Sequence, residues 1–423
     1  MINLVSKLCA LLLLISPMVV YPQAASRPFP YHAKYSADCI KPNNISQAKM
    51  DAAVGKLYDQ WKARYVKPAK PLGQSYVLAD DKGVNKVISE GQGYGMVITV
   101  LMAGYDKNAQ DVYNKLFRYY YAHRCNSRGT TLMKWVQYNN GKEDNSSAAD
   151  GDLDIAYSLL LANKQWGSKG EINYLEKAHA LLDDIKMYEV NKLSGAMLSS
   201  NAVEEDSKQA GYREYFSTRS SDFMPTHLRA FAAAKADDSW MRVITSTYNI
   251  LNAMQAKNTK TGLIPDFMVD IDKGPKPAPK DFQGDEHLNC GAYDYNACRI
   301  PWRVGLDYVL HGDLRSQLIV KRMNNWIRRQ TKDNPRTIAD GYYLNGARLH
   351  TKPDALHLSF VAPFGVAAMA GKENQAWLNS IWAYLNLVTV KDYDIDKSFG
   401  YYDNSIKLIC MIIMSGNYWS PEN

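Results

Sequence analysis

Two kinds of helical pattern alternate along the chain. One is amphipathic and heavily charged, near residues 47–64, 108–123, 171–187, 238–256, 314–332 and 374–391. The other is mostly apolar and rich in small residues, near 91–105, 150–165, 222–235, 299–311, 357–371 and 401–416. A helix that is apolar all round is buried, whereas a charged amphipathic one lies at a surface. The pattern therefore predicts outer and inner helices in strict alternation. Inner-to-outer links are short, as at Lys107 or Asp237–Asp238, while most outer-to-inner connections are long and rich in glycine and aromatic residues. Long ordered connections in compact proteins usually carry function, and here they gather where the inner helices begin. Helical hairpins closed in a ring, an (α/α)6 barrel, account for this better than an open solenoid, whose repeats would not vary their loops so much.

The first residues, MINLVSKLCALLLLISPMVVYPQAAS, place Lys7 before an apolar run with small residues at Ala24 and Ala25. This reads as a secretory signal peptide removed near Ala25, too short for a membrane anchor, leaving 26–423 as one barrel domain. No second domain or linker is evident, and residues 273–281 read as a surface loop within a long connection. The formal net charge of +7 is scattered, without a basic run interleaved with aromatic residues, so nucleic-acid binding has little support. Cys9 lies in the leader, and Cys39, Cys125, Cys290, Cys298 and Cys410 follow it. Five is odd, so at most two disulfides form, and their pairing is not readable.

Chemistry concentrates in three stretches at the starts of inner helices. In SEGQGYGM, Ser89 is an N-cap candidate and Glu90 falls in the first turn, where complementing the helix dipole is the plain alternative to a catalytic role. Gly91, Gly93 and Gly95 each weaken a helix, which points to close approach of backbone or ligand. In AADGDLDIAYSLLLANKQW, Asp150, Asp152 and Asp154 alternate as in a calcium loop. That reading fails, because Ile155 stands where glycine is needed and Leu161 where glutamate should close the site. Capping by Asp150 explains part of the charge, but capping alone rarely needs three acids. The third stretch, Asp281 to Tyr308, packs acids and aromatic residues before Arg299 and Arg303, which are four apart and share a helix face. Turned inward, both arginines would need carboxylate partners. Separate carboxylates converging in an aromatic-lined cleft suggest glycoside hydrolysis, with one carboxyl as acid and another activating water.

These stretches resemble glycoside hydrolase family 8: SEGQGYGM its acid-bearing motif, AADGDLDIAYSLLLANKQW its aspartate motif, and YNACRIPWRVGLDY its third block. The resemblance runs from about Lys34 to Tyr418 and implies the same (α/α)6 barrel. It implies Glu90 as general acid and Asp150 as the aspartate that contacts the sugar at the cleavage subsite, with Asp152 following as a substrate-binding residue. Trp135 would be a stacking platform, and Tyr295, Arg299, Tyr401 and Tyr402 would line the central subsites. Many members carry the general base as an aspartate where this chain has Asn296, and the sequence resembles a branch whose base comes from the preceding loop. Asp281, Asp285, Glu286 and Asp294 are the acids available there. Glu286 best matches the branch's acidic position, with Asp285 second. The resemblance thus implies a secreted, inverting endo-hydrolase of β-1,4-linked polysaccharide, a β-glucanase foremost, needing no cofactor or metal and acting as a monomer. Chitosanase or xylanase activity, and a non-catalytic sugar-binding relative, are the alternatives.

Overall fold

The computed structural model describes residues 23–80, 83–284, 288–350, 357–388 and 400–422. Six outer helices appear among the described residues: α1 (Gln47–Tyr65), α3 (Ala109–Ala122), α5 (Tyr174–Tyr188), α7 (Ser239–Lys257), α9 (Leu314–Thr331) and α11 (Gln375–Leu387). Six inner ones alternate with them: α2 (Ser89–Leu101), α4 (Ala149–Trp166), α6 (Pro225–Lys235), α8 (Ile300–His311), α10 (Leu358–Ala368) and α12 (Gly400–Met414). Every residue of α2, α10 and α12 is buried, as their all-round apolar character requires. In α9, by contrast, Ile319, Val320, Met323, Trp326 and Ile327 form one buried stripe at helical spacing.

The inner helices touch in the cyclic order α2, α4, α6, α8, α10, α12 and back to α2, which closes the expected (α/α)6 ring. Each of the first five packs on the outer helix that follows it, and the last, α12, packs on α1. Two buried hydrogen bonds seal that joint: Trp61 Nε1 donates to Ser405 Oγ at 2.9 Å, and Asn404 Nδ2 to the Tyr65 hydroxyl at 3.0 Å.

The two ends of the barrel differ. The extended segment before α1 laces the C-terminal ends of the inner helices: the amides of Ser26, Phe29, Ala33, Ser36 and Ile40 donate to the carbonyls of Gln165, Ala103, Gly416, Val309 and Met369. At the other end the long connections form short antiparallel pairings. Strand β1 (Val66–Pro68) pairs with β2 (Ser75–Val77), β3 (Asn85–Ile88) with β4 (Val136–Tyr138), and β5 (Lys208–Gln209) with β6 (Tyr212–Arg213). A three-stranded sheet joins β7 (Thr218–Arg219), β8 (Phe267–Val269) and β9 (Lys276–Pro277). Residues far apart in sequence thereby meet over the inner-helix starts.

Two glycines set the closest helix contact, between α2 and α4. A Cβ on Gly93 would stand 2.7 Å from Asp154 Cβ and 3.0 Å from the Gly151 carbonyl oxygen. A Cβ on Gly151 would stand 2.7 Å from the Ser89 carbonyl carbon. The glycine cost to helix stability is thus offset by a backbone approach that no side chain permits.

The five described cysteines, Cys39, Cys125, Cys290, Cys298 and Cys410, are unbonded, so none of the disulfides expected among them is formed; four are buried and Cys39 is half-buried.

Candidate active site

Glu90 enters through the β3–β4 pairing. The chain passes from Ile88 directly into the helix, and the Ser89 amide donates to the Trp135 carbonyl at 2.9 Å. This corrects the expected cap: Ser89 is the first helical residue, and the N-cap is Ile88, without a side-chain capping bond. The same hydrogen bond ties the Trp135 backbone to the residue before the acid. On the next inner helix the N-cap is Ala148, so Asp150 lies inside the first turn and does not cap it.

Arg299 ties these two helices together. From the short 3-10 turn Ala297–Arg299 at the start of α8, its Nη1 donates to Glu90 Oε2, to Asp150 Oδ2 at 3.0 Å and to the Tyr94 hydroxyl at 3.1 Å. Its Nη2 donates to Asn296 Oδ1 at 2.9 Å. Tyr401, at the start of α12, donates its hydroxyl to Glu90 Oε1 at 3.3 Å. Tyr402 donates to the Tyr295 carbonyl, and its ring lies 5.5 Å from the Arg299 guanidinium carbon. The half-buried Tyr295 ring stands edge-on to Phe360 at 5.1 Å and 6.1 Å from Tyr402. Glu90, Asp150, Tyr295, Asn296, Arg299, Tyr401 and Tyr402 are thus linked in one constellation, with the Trp135 backbone joined to it through Ser89. Asp285 and Glu286 lie outside the described residues.

Asp152 is not brought into the cleft with them. It is sealed from solvent, accepts from the Met133 amide at 2.8 Å and lies against the Glu189 carboxyl, which raises it. Burial pushes both carboxyls up, Asp152 far above the usual range and Glu189 to about 8, each raised further by nearby carboxylates. Glu189 in turn accepts from Ser147 Oγ at 2.6 Å. The pair braces the connection that carries Trp135 against α4.

The carboxylates of the cleft differ in charge. Burial pushes Glu90 to about 7; the Arg299 guanidinium pulls the other way, and the Asp150 carboxylate pushes the same way as burial. Burial would raise Asp150 too, but Arg219 and Arg299 outweigh it and hold the group below its ordinary value. Asp150 Oδ1 accepts from Arg219 Nη2 at 3.0 Å, while Oδ2 faces Arg299. The site therefore sets a carboxyl that keeps its proton up to about pH 7 beside an ionised one, the arrangement that acid catalysis near neutral pH demands.

Sequence reasoning missed three contributors. Arg219 lies before α6 without a periodic signal, and its buried partner Asp222, at the start of the expected 222–235 helix, precedes the observed one. Asp266, fully buried before β8, accepts from the amides of Asp294, Asn296 and Ala297 at 2.9, 3.0 and 2.7 Å. It also takes the Asn296 side-chain amide at 3.2 Å, so Asn296 bridges a carboxylate to the Arg299 guanidinium. An aspartate in that place would set like charges together, which gives the asparagine a physical reason.

No cluster of three or more metal-ligating side chains occurs among the described residues. A helical barrel with buried, unequal carboxylates under an aromatic-lined mouth defines a glycoside-hydrolysing class of protein. The comparisons agree: the sequence model of glycosyl hydrolases family 8 matches residues 28–416. A β-glucanase from Niallia circulans is 42% identical over 417 residues, covering 98% of this chain and 96% of that one. An endoglucanase from Bacillus sp. (strain KSM-330) is 40% identical over 93% of this chain and 82% of its own. The apo structure of a β-1,3-1,4-glucanase from Paenibacillus sp. X4 superposes with a TM-score of 0.86 at 42% identity, covering 94% of this chain and all of that one. The chain belongs to glycosyl hydrolase family 8 and is a glycoside hydrolase.

Proposed function

We propose that the protein is an inverting, endo-acting β-glucanase that cleaves β-1,4 bonds in cellulose or mixed-linkage glucan. The observation that carries this reading is the unequal carboxyl pair, Glu90 raised to about 7 beside an Asp150 held ionised. The names of the β-glucanase and endoglucanase relatives support the substrate class.

In the proposed reaction the glucan lies across the inner-helix starts, stacked on Trp135 and the tyrosines, whose faces suit the apolar C–H patches of sugar rings. Glu90 gives its proton to the glycosidic oxygen as the bond from that oxygen to C1 breaks. Asp150 contacts the sugar at the cleavage subsite and favours its distorted ring. A water attacks C1 from the opposite face and passes a proton to a carboxylate of the 281–294 loop, Glu286 first and Asp285 second. Asn296 does not serve as base, because an amide takes no proton at neutral pH and both its ends are engaged. We also read the N-terminal leader as an export signal, with the enzyme acting as a monomer outside the cytoplasm. Among the described residues no helix is long and apolar enough to cross a membrane.

A reducing-sugar assay across carboxymethyl-cellulose, barley glucan, xylan and chitosan tests the substrate class, with the glucans expected to lead. A proton-NMR time course tests the mechanism. The first product formed should carry the inverted anomer, and a retained anomer would refute water attack. For the base, Glu286→Gln should abolish turnover while Asp285→Asn leaves most of it; the reverse would transfer the role.

A further inference from the structure

Arg299 reaches both Glu90 and Asp150 through one nitrogen, so by itself it does not decide which of the two carries the proton. Burial would decide wrongly: the Asp150 side chain is 4% exposed and that of Glu90 is 11% exposed. The deeper carboxyl loses more solvation on ionising and would take the proton first. A second cation breaks the tie, and it is Arg219, whose Nη2 lies 3.0 Å from Asp150 Oδ1.

Arg219 is anchored for this task. Its Nε donates to both oxygens of Asp222 at 3.2 and 3.3 Å, and its Nη2 to Asp222 Oδ1 at 3.0 Å. Asp222, fully buried, also accepts from Ser221 Oγ at 2.9 Å. The Asp266 backbone carbonyl accepts from the Ser220 amide at 2.9 Å and from its hydroxyl at 3.1 Å, while the Asp266 carboxylate holds the turn before Arg299. One residue therefore fixes the backbone next to both arginines that clamp Asp150.

We propose that Arg219 is a positioning residue for hydrolysis: by pairing with Asp150 it keeps that group ionised and leaves the proton on Glu90. This rests on the reading of Glu90 as acid and Asp150 as sugar contact, and it explains how two neighbouring carboxyls acquire different roles. The groups facing the pair come from every packed element. Tyr94 on α2, Asp152 and Asp154 on α4, and Tyr401 and Tyr402 on α12 are one set. Arg299 and Arg303 at α8, with Arg219 and Asp222 before α6, complete it. Among the cations of the described residues, only Arg219 pairs with Asp150 without also binding Glu90 or Asp154.

The test is the pH profile of kcat/KM on soluble glucan for the full-length enzyme and three variants. Arg219→Gln should lower the plateau at least about tenfold, because the proton passes to Asp150, and move the alkaline limb toward higher pH by at least about one unit, because both carboxyls lose a cation that favours their ionised form. Arg219→Lys, which keeps the cation, should restore the limb. Arg219→Gln combined with Asp222→Asn also removes the unpaired buried charge that hinders folding, and should show the same lowered plateau and alkaline shift. An unchanged limb in a folded Arg219→Gln or double variant would overturn the proposal. Glu90→Gln separates the two layers: if it still hydrolyses glucan, the underlying reading fails. If it is inactive while the arginine variants keep the wild-type limb, only the role of Arg219 fails.

Discussion

Two layers of buried charge sit one helical turn apart on the same elements, and they behave differently. The upper layer holds Glu90, Asp150 and Arg299. The lower one holds Asp154, four residues after Asp150, and Arg303, four after Arg299. In the lower layer Arg303 grips Asp154 with both terminal nitrogens, and His227 adds a hydrogen bond at 2.9 Å. Burial alone would raise Asp154, but Arg303 and then His227 overcome it and bring the group to about 2. His227, lowered by burial, is stacked at 3.9 Å on Tyr157. The lower layer is saturated and has no proton to lend. In the upper layer Arg299 is divided between Glu90 and Asp150, Arg219 between Asp150 and Asp222, three acids against two cations, and Glu90 rises to about 7. The lesson is one of stoichiometry: the same residue types at the same spacing brace the barrel when acids and bases balance, and supply a proton when acids are in excess.

The comparison breaks most severely at Arg303. Arg303→Met leaves Asp154 buried without its cation and should cost about 3–5 kcal/mol in urea unfolding. The same change at Arg299 should cost less stability, since Glu90 or Asp150 can take up a proton. It should instead lower kcat about 10²–10³-fold, because both reacting carboxyls lose their anchor. A smaller effect concerns the second protonated site, Asp152–Glu189. Glu189 is raised from 4.5 to about 8 by burial, with Asp222 adding to it, so its stabilising contribution is fully present below the unfolded value and is lost as pH rises through about 8. Glu189→Gln should therefore lose less stability between pH 5 and 9 than the wild type, by more than about 1 kcal/mol in thermal or urea unfolding. The smallest effect is expected for Tyr401→Phe. Its hydroxyl bond to Glu90 stabilises the ionised acid, so removing it should raise the alkaline limb slightly, an effect of about 0.5–1.5 kcal/mol.

The barrel was legible because periodicity separates buried helices from half-buried ones, and each of the twelve described helices overlaps its expected range. The need of Arg299 and Arg303 for inward carboxylates was legible for the same reason, since helical spacing fixes which residues share a face. The glycines of SEGQGYGM were readable as a close approach, although only coordinates show that the partner is the α4 backbone. Arg219, Asp222 and Asp266 were not legible. Arg219 and Asp266 lie in long connections without a period, Asp222 stands at the very start of the 222–235 pattern where nothing marks its partner, and the β7–β8 pairing that brings these segments together joins residues some fifty apart. Helix starts differ from the expected ones by up to three residues, and the expected cap at Ser89 fails for a related reason: Ser89 looks like a cap in isolation, but the strand pairing before it carries the chain straight into the helix.

The central claim is that Glu90 supplies the proton to the departing sugar oxygen. It is tested most directly by comparing Glu90→Gln with wild type on two substrates: barley glucan, whose leaving alcohol needs a proton, and a dinitrophenyl β-cello-oligosaccharide, whose leaving phenolate does not. The account predicts a loss of about 10³-fold or more on glucan and a far smaller loss on the aryl substrate. Equal losses on the two, or retained glucan hydrolysis, would contradict it.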